Sequence, residues 1–501
     1  MKKTTLAMGI VAVLGISYVG TAWYTGNIIE RDIDSQLALI TNNVNQIQDK
    51  FTFNIEKSNY DKGIFSTKLH LKVTSSQNQS FDEVATPQKL FDDDITIHHG
   101  PFPIAALAKG TFVPQMAWLE YEMTEQTNQR LWKLADNQPF ISGHMGISYG
   151  EYVTAKLTSK AIKFMDNDLD IGKGYFTFSG YIDGTDMTAN LQLDRFPFLS
   201  DANDINVIFS DLNLSLTPLS TLDEVDYKLN IGNIKYSFST YSIAGLDIDN
   251  IKSTGKFNYK TQDMDSQGSI DKMILESPPS LYTPNIKPLV FNNITMKQKS
   301  VLNKASNIID NSCFANIDSI IYGQQNLGNI QTDVEFQSLN RGWSSNLFDM
   351  NDMNDMNLND INPKQNIKFS LNKFNWHTPA GDININLMLD VFDIYGMSLV
   401  QDPYENINAI KFKLEAPFDA LARISAQIEN PNDNNVTPQQ ITKANQMIQL
   451  AANLLKSKSS FLMLSNGKTD GFYLDMNLAK DSDEVEVNGK TMSKEEFLDN
   501  L

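Results

Sequence analysis

The sequence predicts a mainly β protein (α+β): an N-terminal transmembrane helix followed by a large, long-stranded antiparallel β-sheet body with a few helices. Three observations predict it. Leu6–Tyr24 is an almost unbroken apolar run without a charge. Long stretches of the remainder alternate apolar and polar residues, and clusters of Gly, Asn and Asp separate those stretches.

The nineteen residues of Leu6–Tyr24 are enough, as a helix, for the roughly 30 Å hydrocarbon core of a bilayer. Lys2 and Lys3 favour a cytoplasmic N-terminus. Trp23 and Tyr24 close the run where aromatic rings prefer headgroups, and Glu30, Arg31, Asp32 and Asp34 then mark water. Gly20-Thr21-Ala22 also offers the small residues of a signal-peptidase site, so cleavage is the alternative to a retained anchor. Both place the body outside the cytoplasm. Residues 25–51 continue as a helical stalk. Its stripe Ile29, Ile33, Leu37, Ile40, Val44, Ile47 and Phe51 either packs on the chain's own body or forms a self-association seam.

Residues 52–501 form the β-rich body, with a break between two sub-domains expected near 295–365. Thr67-Leu69-Leu71-Val73, Met187 to Leu193, Leu212-Leu214-Leu216, Tyr227-Leu229-Ile231 and Ile234-Tyr236-Phe238 each put apolar groups on one face of a strand. So do Ile367-Phe369-Leu371, Ile383 to Leu389, Ile410-Phe412-Leu414 and Phe472 to Leu478. Period two with polar partners means antiparallel sheet with one wet face. Turns are expected at Gly180 to Gly184, Gly232-Asn233, Ala380-Gly381-Asp382 and Asn488-Gly489. Helices are expected at Val301 to Tyr322, Pro438 to Ser457 and Ser493 to Leu498, the last with Ser493 and Glu496 as a capping box. Residues 349–362 repeat Asp-Met-Asn and read as a flexible acidic loop without the glycine and terminal Glu of a calcium hand.

The chain has 501 residues, 41% hydrophobic and 20% charged, with a formal net charge of −19. Such a surface repels nucleic acid and anionic lipid headgroups, so neither nucleic acid nor peripheral membrane binding by charge is expected. The single cysteine, Cys313, excludes an intrachain disulfide and any cysteine-based metal cluster; it reads as a buried thiol. The histidines His70, His98, His99, His144 and His377 form no HExxH or HxH pattern, and His98 and His99 point to opposite faces of a strand. No G-x-S-x-G elbow, phosphate-binding loop or dinucleotide fingerprint is present. Ile171-Gly-Lys-Gly-Tyr reads as a turn before the strand Tyr175 to Phe178. No catalytic residue is assigned by these patterns, and no cofactor or metal is expected. One short motif stands out: His99-Gly100-Pro101-Phe102-Pro103, whose prolines and glycine predict a rigid exit from the strand Ile95 to His99, with Phe102 pinned against the core.

With those residues in hand, the chain resembles the YdgA-like family of bacterial envelope proteins. The resemblance rests on Ala22-Trp23-Tyr24-Thr25-Gly26 with Ile29 and Glu30, on Tyr60, Gly63, Phe65 and Ser66, and on His99 to Pro103. Trp376, Gly381, Asn488-Gly489-Lys490, Met492, Ser493, Glu495, Glu496 and Phe497 extend it to the end of the chain, while 349–362 departs from it. The resemblance implies a single-pass protein of the Gram-negative inner membrane, with its body in the periplasm. It brings no catalytic residues.

The function expected is that of a non-enzymatic envelope protein binding or transferring lipid or another apolar ligand along a β-sheet surface. The architecture is similar in outline to AsmA-type periplasmic proteins, an analogy of shape alone. The alternatives are a structural or assembly partner acting as a homo-oligomer, and an envelope hydrolase whose pocket gathers carboxylates or histidines from separate strands.

Overall fold

A computed structural model describes residues 2–47, 51–77, 87–163, 170–183, 185–200, 205–219, 223–238, 245–258, 260–276, 286–303, 308–340, 366–392, 407–458, 461–479 and 482–499. The acidic stretch 349–362 lies outside them. The chain is mainly β, its strands antiparallel, and divides into two compact units.

Unit 1 comprises residues 1–197 and 210–227. It opens with α1 (Lys2–Ile47), a single helix of 46 residues. The antiparallel ladder that follows is built from β1 (Phe51–Lys62), β2 (Ser66–Gln77), β3 (Gln88–His99), β4 (Gln115–Glu122), β5 (Ile141–Ser148), β6 (Tyr152–Ser159), β7 (Gly174–Tyr181) and β8 (Thr188–Ser200). Short helices α2 (Ile104–Ala108) and α3 (Gln129–Leu134) sit in the β3–β4 and β4–β5 connections. Phe51, expected on the stalk, opens β1 instead. Leu69, Ile95, Ile97 and Ala117 form the buried centre of this unit, and Ile29 and Ile33 of α1 pack on it. The stalk's stripe is thus spent on its own sheet at these two positions. The side chains of Ile40, Val44 and Ile47 lie outside the described residues. No helix among the described residues is long and apolar enough to cross a membrane; the side chains of residues 2–16, most of the expected span, are outside that set.

The end of β8 passes into the second unit, and strands β9 (Ile205–Pro218) and β10 (Glu224–Phe238) likewise contribute residues to both. β10 runs straight through Gly232-Asn233, where a turn was expected: the apolar alternation shifts from odd to even positions there, yet the strand stays continuous from Glu224 to Phe238.

Unit 2 comprises residues 198–209 and 228–501. Its strands are β11 (Gly245–Asn258), β12 (Met264–Glu276), β13 (Leu289–Asn303), β14 (Ile308–Tyr322), β15 (Gln325–Asn326), β16 (Asn329–Asn340), β17 (Asn366–Thr378), β18 (Gly381–Phe392) and β19 (Ile407–Pro417). After α4 (Phe418–Glu429) and α5 (Pro438–Lys458) come β20 (Met463–Ser465), β21 (Asp470–Leu478), β22 (Glu484–Val487), β23 (Lys490–Ser493) and α6 (Lys494–Asp499). The ladder crosses 295–365 by direct pairing of β13, β14, β16 and β17, so the two units divide at 197–228 and not there.

The helix expected at Val301 to Tyr322 is a correction. Residues 308–322 are a strand paired on both edges. Ile309, Cys313, Ile317 and Ile321 recur every four residues, a step that fits a helical face and also keeps parity in a strand. The Ile, Asn, Ser and Asp content disfavours a helix interior, and two neighbouring strands settle the choice. The other two helices form as expected: α5 over Pro438–Lys458, and α6, whose Glu496 N–H donates to Ser493 Oγ at 3.1 Å. The turns at Ala380-Gly381-Asp382 and Asn488-Gly489 join β17 to β18 and β22 to β23.

Candidate functional site

Cross-strand register turns the alternation of unit 2 into a two-faced sheet. Directly opposed residues in an antiparallel ladder point to one side. Following the pairs across β11–β14 and β16–β18 gives Ile251, Ile270, Ile294, Ile317, Ile330, Trp376 and Ile383 in one continuous row. On the same face, Cys313, Val334, Leu371, Leu387, Phe412 and Met476 make a second row. Phe336, Phe369, Leu389, Ile410 and Leu478 make a third, with the rings of Phe336 and Phe369 5.0 Å apart. One residue along from the first row, on the other face, the series is Lys252, Ser269, Thr295, Asn316, Gln331 and Asn375.

Local packing covers only one end of the apolar face. α4 lies over β18, β19 and β21 through Ala420 and Ile424 against Ile383, Trp376, Leu414 and Phe472. Phe461, Val485, Val487 and Phe497 close around Leu478. Over β11–β14 no helix of the described residues is laid, and Ile251, Ile270, Ile317 and Ile330 are only half-buried. A shallow hollow bordered by Lys252, Ser269, Lys297 and Phe314 opens on the polar side instead. Cys313 is half-buried within the apolar rows, and burial pushes its thiol up, with the Asp333 carboxylate adding to the effect. That is the direction of an unreactive thiol.

The motif His99 to Pro103 sits in unit 1, at the end of β3, and its use differs from the one expected. Phe102 is not pinned in the core: it is 39% exposed. The buried members are His99, Gly100 and Pro103. His99 is 1% exposed, and its ring is held at both nitrogens. Nδ1 faces the Ile64 carbonyl at 3.0 Å, and a carbonyl only accepts, so the ring proton sits on Nδ1. Nε2 then accepts from the Thr67 hydroxyl at 2.8 Å. The His99 amide donates to the Phe65 carbonyl at 2.8 Å, which ties the motif to the β1–β2 turn.

The socket's third wall is α1. Ala22, Thr25 and Gly26 face the sheet as a buried small-residue stripe, followed one turn on by Ile29. A Cβ on Gly26 would lie 2.6 Å from His99 Cε1, so only glycine lets the helix approach the ring this closely. The Thr25 hydroxyl lies 3.1 Å from Tyr149 Oη, and Lys62 reaches Asn27 Oδ1 at 2.6 Å and also pairs with Glu30. Several residues that carried the family resemblance through the first hundred positions, Gly26, Phe65 and His99 among them, therefore meet at one place, while Trp23 and Tyr24 stay exposed. Sequence reasoning named both sets but did not pair them; Thr67 and the opposition of Gly26 to His99 went unread.

Burial holds the His99 imidazole below its ordinary range, and the same cause acts on His98 and His144, the latter stacked 4.7 Å from Trp118. A lowered folded-state value means that the unfolded chain binds the proton more readily. Stability is then complete above about pH 6.5, the unfolded value, and is lost as pH falls below it. His70, raised by hydrogen bonds to Asp94 and Asp92, acts in the opposite sense but is solvent-exposed, so its share is small. The urea midpoint of unit 1 is expected to fall between pH 7 and pH 5, and His99→Gln to flatten that slope; an identical slope in the variant would remove His99 from the account.

These features define an antiparallel β protein with an N-terminal helix locked to its first sheet. The chain belongs to the bacterial protein family of unknown function DUF945, whose model matches residues 1–495. It is 24% identical to Protein YdgA of Escherichia coli (strain K12) over 256 residues, 50% of each chain. It is 22% identical to the Uncharacterized protein YihF of the same organism over 242 residues, 47% of this chain and 48% of that one. An Uncharacterized protein of Haemophilus influenzae (strain ATCC 51907 / DSM 11121 / KW20 / Rd) is 21% identical over 347 residues, 68% of this chain and 83% of that one. The match thus spans about half the length of the first two relatives. No solved structure matches.

Proposed function

We propose that this is an anchored envelope protein that binds, and passes along, the acyl chains of lipids on the apolar face of unit 2. The observation that carries this reading is the row from Ile251 to Ile383, which continues across β11–β14 without a covering helix. Along this stripe Ile251, Ile270, Ile317 and Ile330 stay only half-buried while Ile294 and Ile383 are buried, and a partly solvated apolar stripe marks an interaction surface. Its width across many strands suits a long flexible chain better than a compact substrate. The anchor Leu6–Tyr24 is part of the proposal: an uncharged apolar run beside Lys2 and Lys3 keeps the sheets close to one membrane, with the body on the periplasmic side.

A second reading, a homo-oligomeric or assembly partner, is favoured by one observation. Ala444, Ile441 and Ile448 of α5 pack on α4, but Met447, Leu450, Leu454 and Leu455 remain at least half-exposed. Photo-crosslinking separates the two. The full-length chain, in nanodiscs containing a phospholipid with a diazirine in its acyl chain, is irradiated and digested. Adducts on peptides of β11–β14, at Ile251, Ile270 or Ile317 and not at Lys252 or Thr295, are expected. Adducts confined to α1 would reject lipid binding on the sheet, and protein–protein links through α5 would favour the second reading.

A further inference from the structure

We infer that the end of the unit 1 sheet from which α1 emerges is itself a lipid-contacting rim, seated in the outer headgroup and upper acyl layer. This rests on the anchor reading above and adds a second, independent contact between the body and the bilayer.

The placement of α1 fixes which end this is. Asn45 bonds the Phe53 backbone, Asp34 pairs with Lys57, Asn27 and Glu30 meet Lys62, and Gly26 meets His99. The helix therefore runs back along β1 toward the β1–β2 turn. At that turn the ring of Tyr18 stacks on Phe65 at 5.8 Å, and its hydroxyl donates to the Phe102 carbonyl at 2.8 Å. Tyr18 lies six residues inside the apolar run that ends at Tyr24. At 1.5 Å per residue, the loops touching Tyr18 sit ~9 Å deeper along the helix than Tyr24. If Leu6–Tyr24 fills the hydrocarbon core, these loops enter the boundary layer with it.

Their composition fits that position. Residues 100–114, the β3–β4 connection, hold one charged residue, Lys109, in fifteen. The β4–β5 connection at the opposite end of the same strands, residues 123–140, holds four in eighteen: Glu125, Arg130, Lys133 and Asp136. Large apolar side chains stand out in water at the first end: Ile104 is 77% exposed, Phe112 74% and Val113 63%, with Ile64, Phe65 and Phe102 beside α1. Apolar and aromatic groups of this kind insert ~5–10 Å into the headgroup–acyl boundary. At the opposite end Leu90, Phe51 and Ile141 are 55%, 42% and 36% exposed, so the most exposed apolar groups gather where α1 leaves, and an aqueous role gives that gathering no cause.

The test uses the full-length chain in phosphatidylcholine–phosphatidylglycerol nanodiscs. Single cysteines at Ile104, Phe112, Gln138 and Ala12, introduced with Cys313→Ala, carry an environment-sensitive fluorophore. Lipids with a nitroxide on the upper acyl chain then quench it. Positions 104 and 112 are expected to lose about twofold or more of their emission, as residues at this depth do, and position 138 to lose none. Quenching at Ala12 but not at 104 and 112 leaves the anchor standing and overturns the rim. Quenching at 104 and 112 without Ala12 keeps the rim and overturns the span. No quenching at any position overturns both.

Discussion

Gly100→Ala is expected to destabilise unit 1 by about 3 kcal/mol or more, the usual upper range for forcing atoms into a filled space. A Cβ there would fall 1.9 Å from the Gln115 carbonyl oxygen and 2.7 Å from Tyr149 Oη. The first obstacle is backbone and cannot rotate away. Backbone bonds clamp it from both sides: the Gly100 amide donates to the Met116 carbonyl at 2.9 Å, and the Gln115 amide to the Pro101 carbonyl at 2.8 Å. Relief requires pulling β3 from β4, which also opens the His99 socket. Gly20→Ala is the matched control. Nothing lies within 4 Å of its new Cβ, and in a helix interior the change is worth up to about 1 kcal/mol in the stabilising direction. Urea unfolding of the two variants decides the matter; equal midpoints would show that the motif tolerates a side chain and that its clamp is not structural.

Ile294→Asp is the second large effect. Ile294 is 5% exposed at the middle of the isoleucine row. A carboxylate there has no partner within the apolar face, and an unpaired buried charge costs several kcal/mol. A loss of more than about 3 kcal/mol is expected. Thr295→Asp, one residue on, points to the wet face and should change stability by less than about 0.5 kcal/mol. Within the 15-residue β13 only this parity separates the two outcomes, so comparable losses at both positions, read by thermal and urea melts, would refute the two-faced sheet.

Much of the fold was legible because alternation is a local signal. Thr67-Leu69-Leu71-Val73 and Ile383 to Leu389 both appear as strands with the expected face inward. The failure at 308–322 has a definite origin, since every fourth residue satisfies both periods and only pairing with β13 and β16 separates them. The candidate site was legible in its parts but not in its assembly. Ile251, Ile270, Ile294 and Ile317 are spaced 19, 24 and 23 residues apart, and their alignment depends on hairpin lengths that no local pattern encodes. The His99 socket was hidden for a related reason. A histidine beside glycine and proline reads as a turn, while the helix glycine that fills its remaining side lies 73 residues earlier.

Within each unit, almost every long strand pairs with the one just before it in the chain. A chain handed over from its N-terminus, as synthesis delivers it, can therefore be knitted row by row. Each arriving segment finds its partner already in place, and no early edge has to wait for the C-terminus. Pairing of near neighbours keeps loop-closure entropy low and shortens the time for which an edge is open to other chains. The same stitch makes length adjustable: adding or removing a hairpin extends the fabric without re-threading what came before.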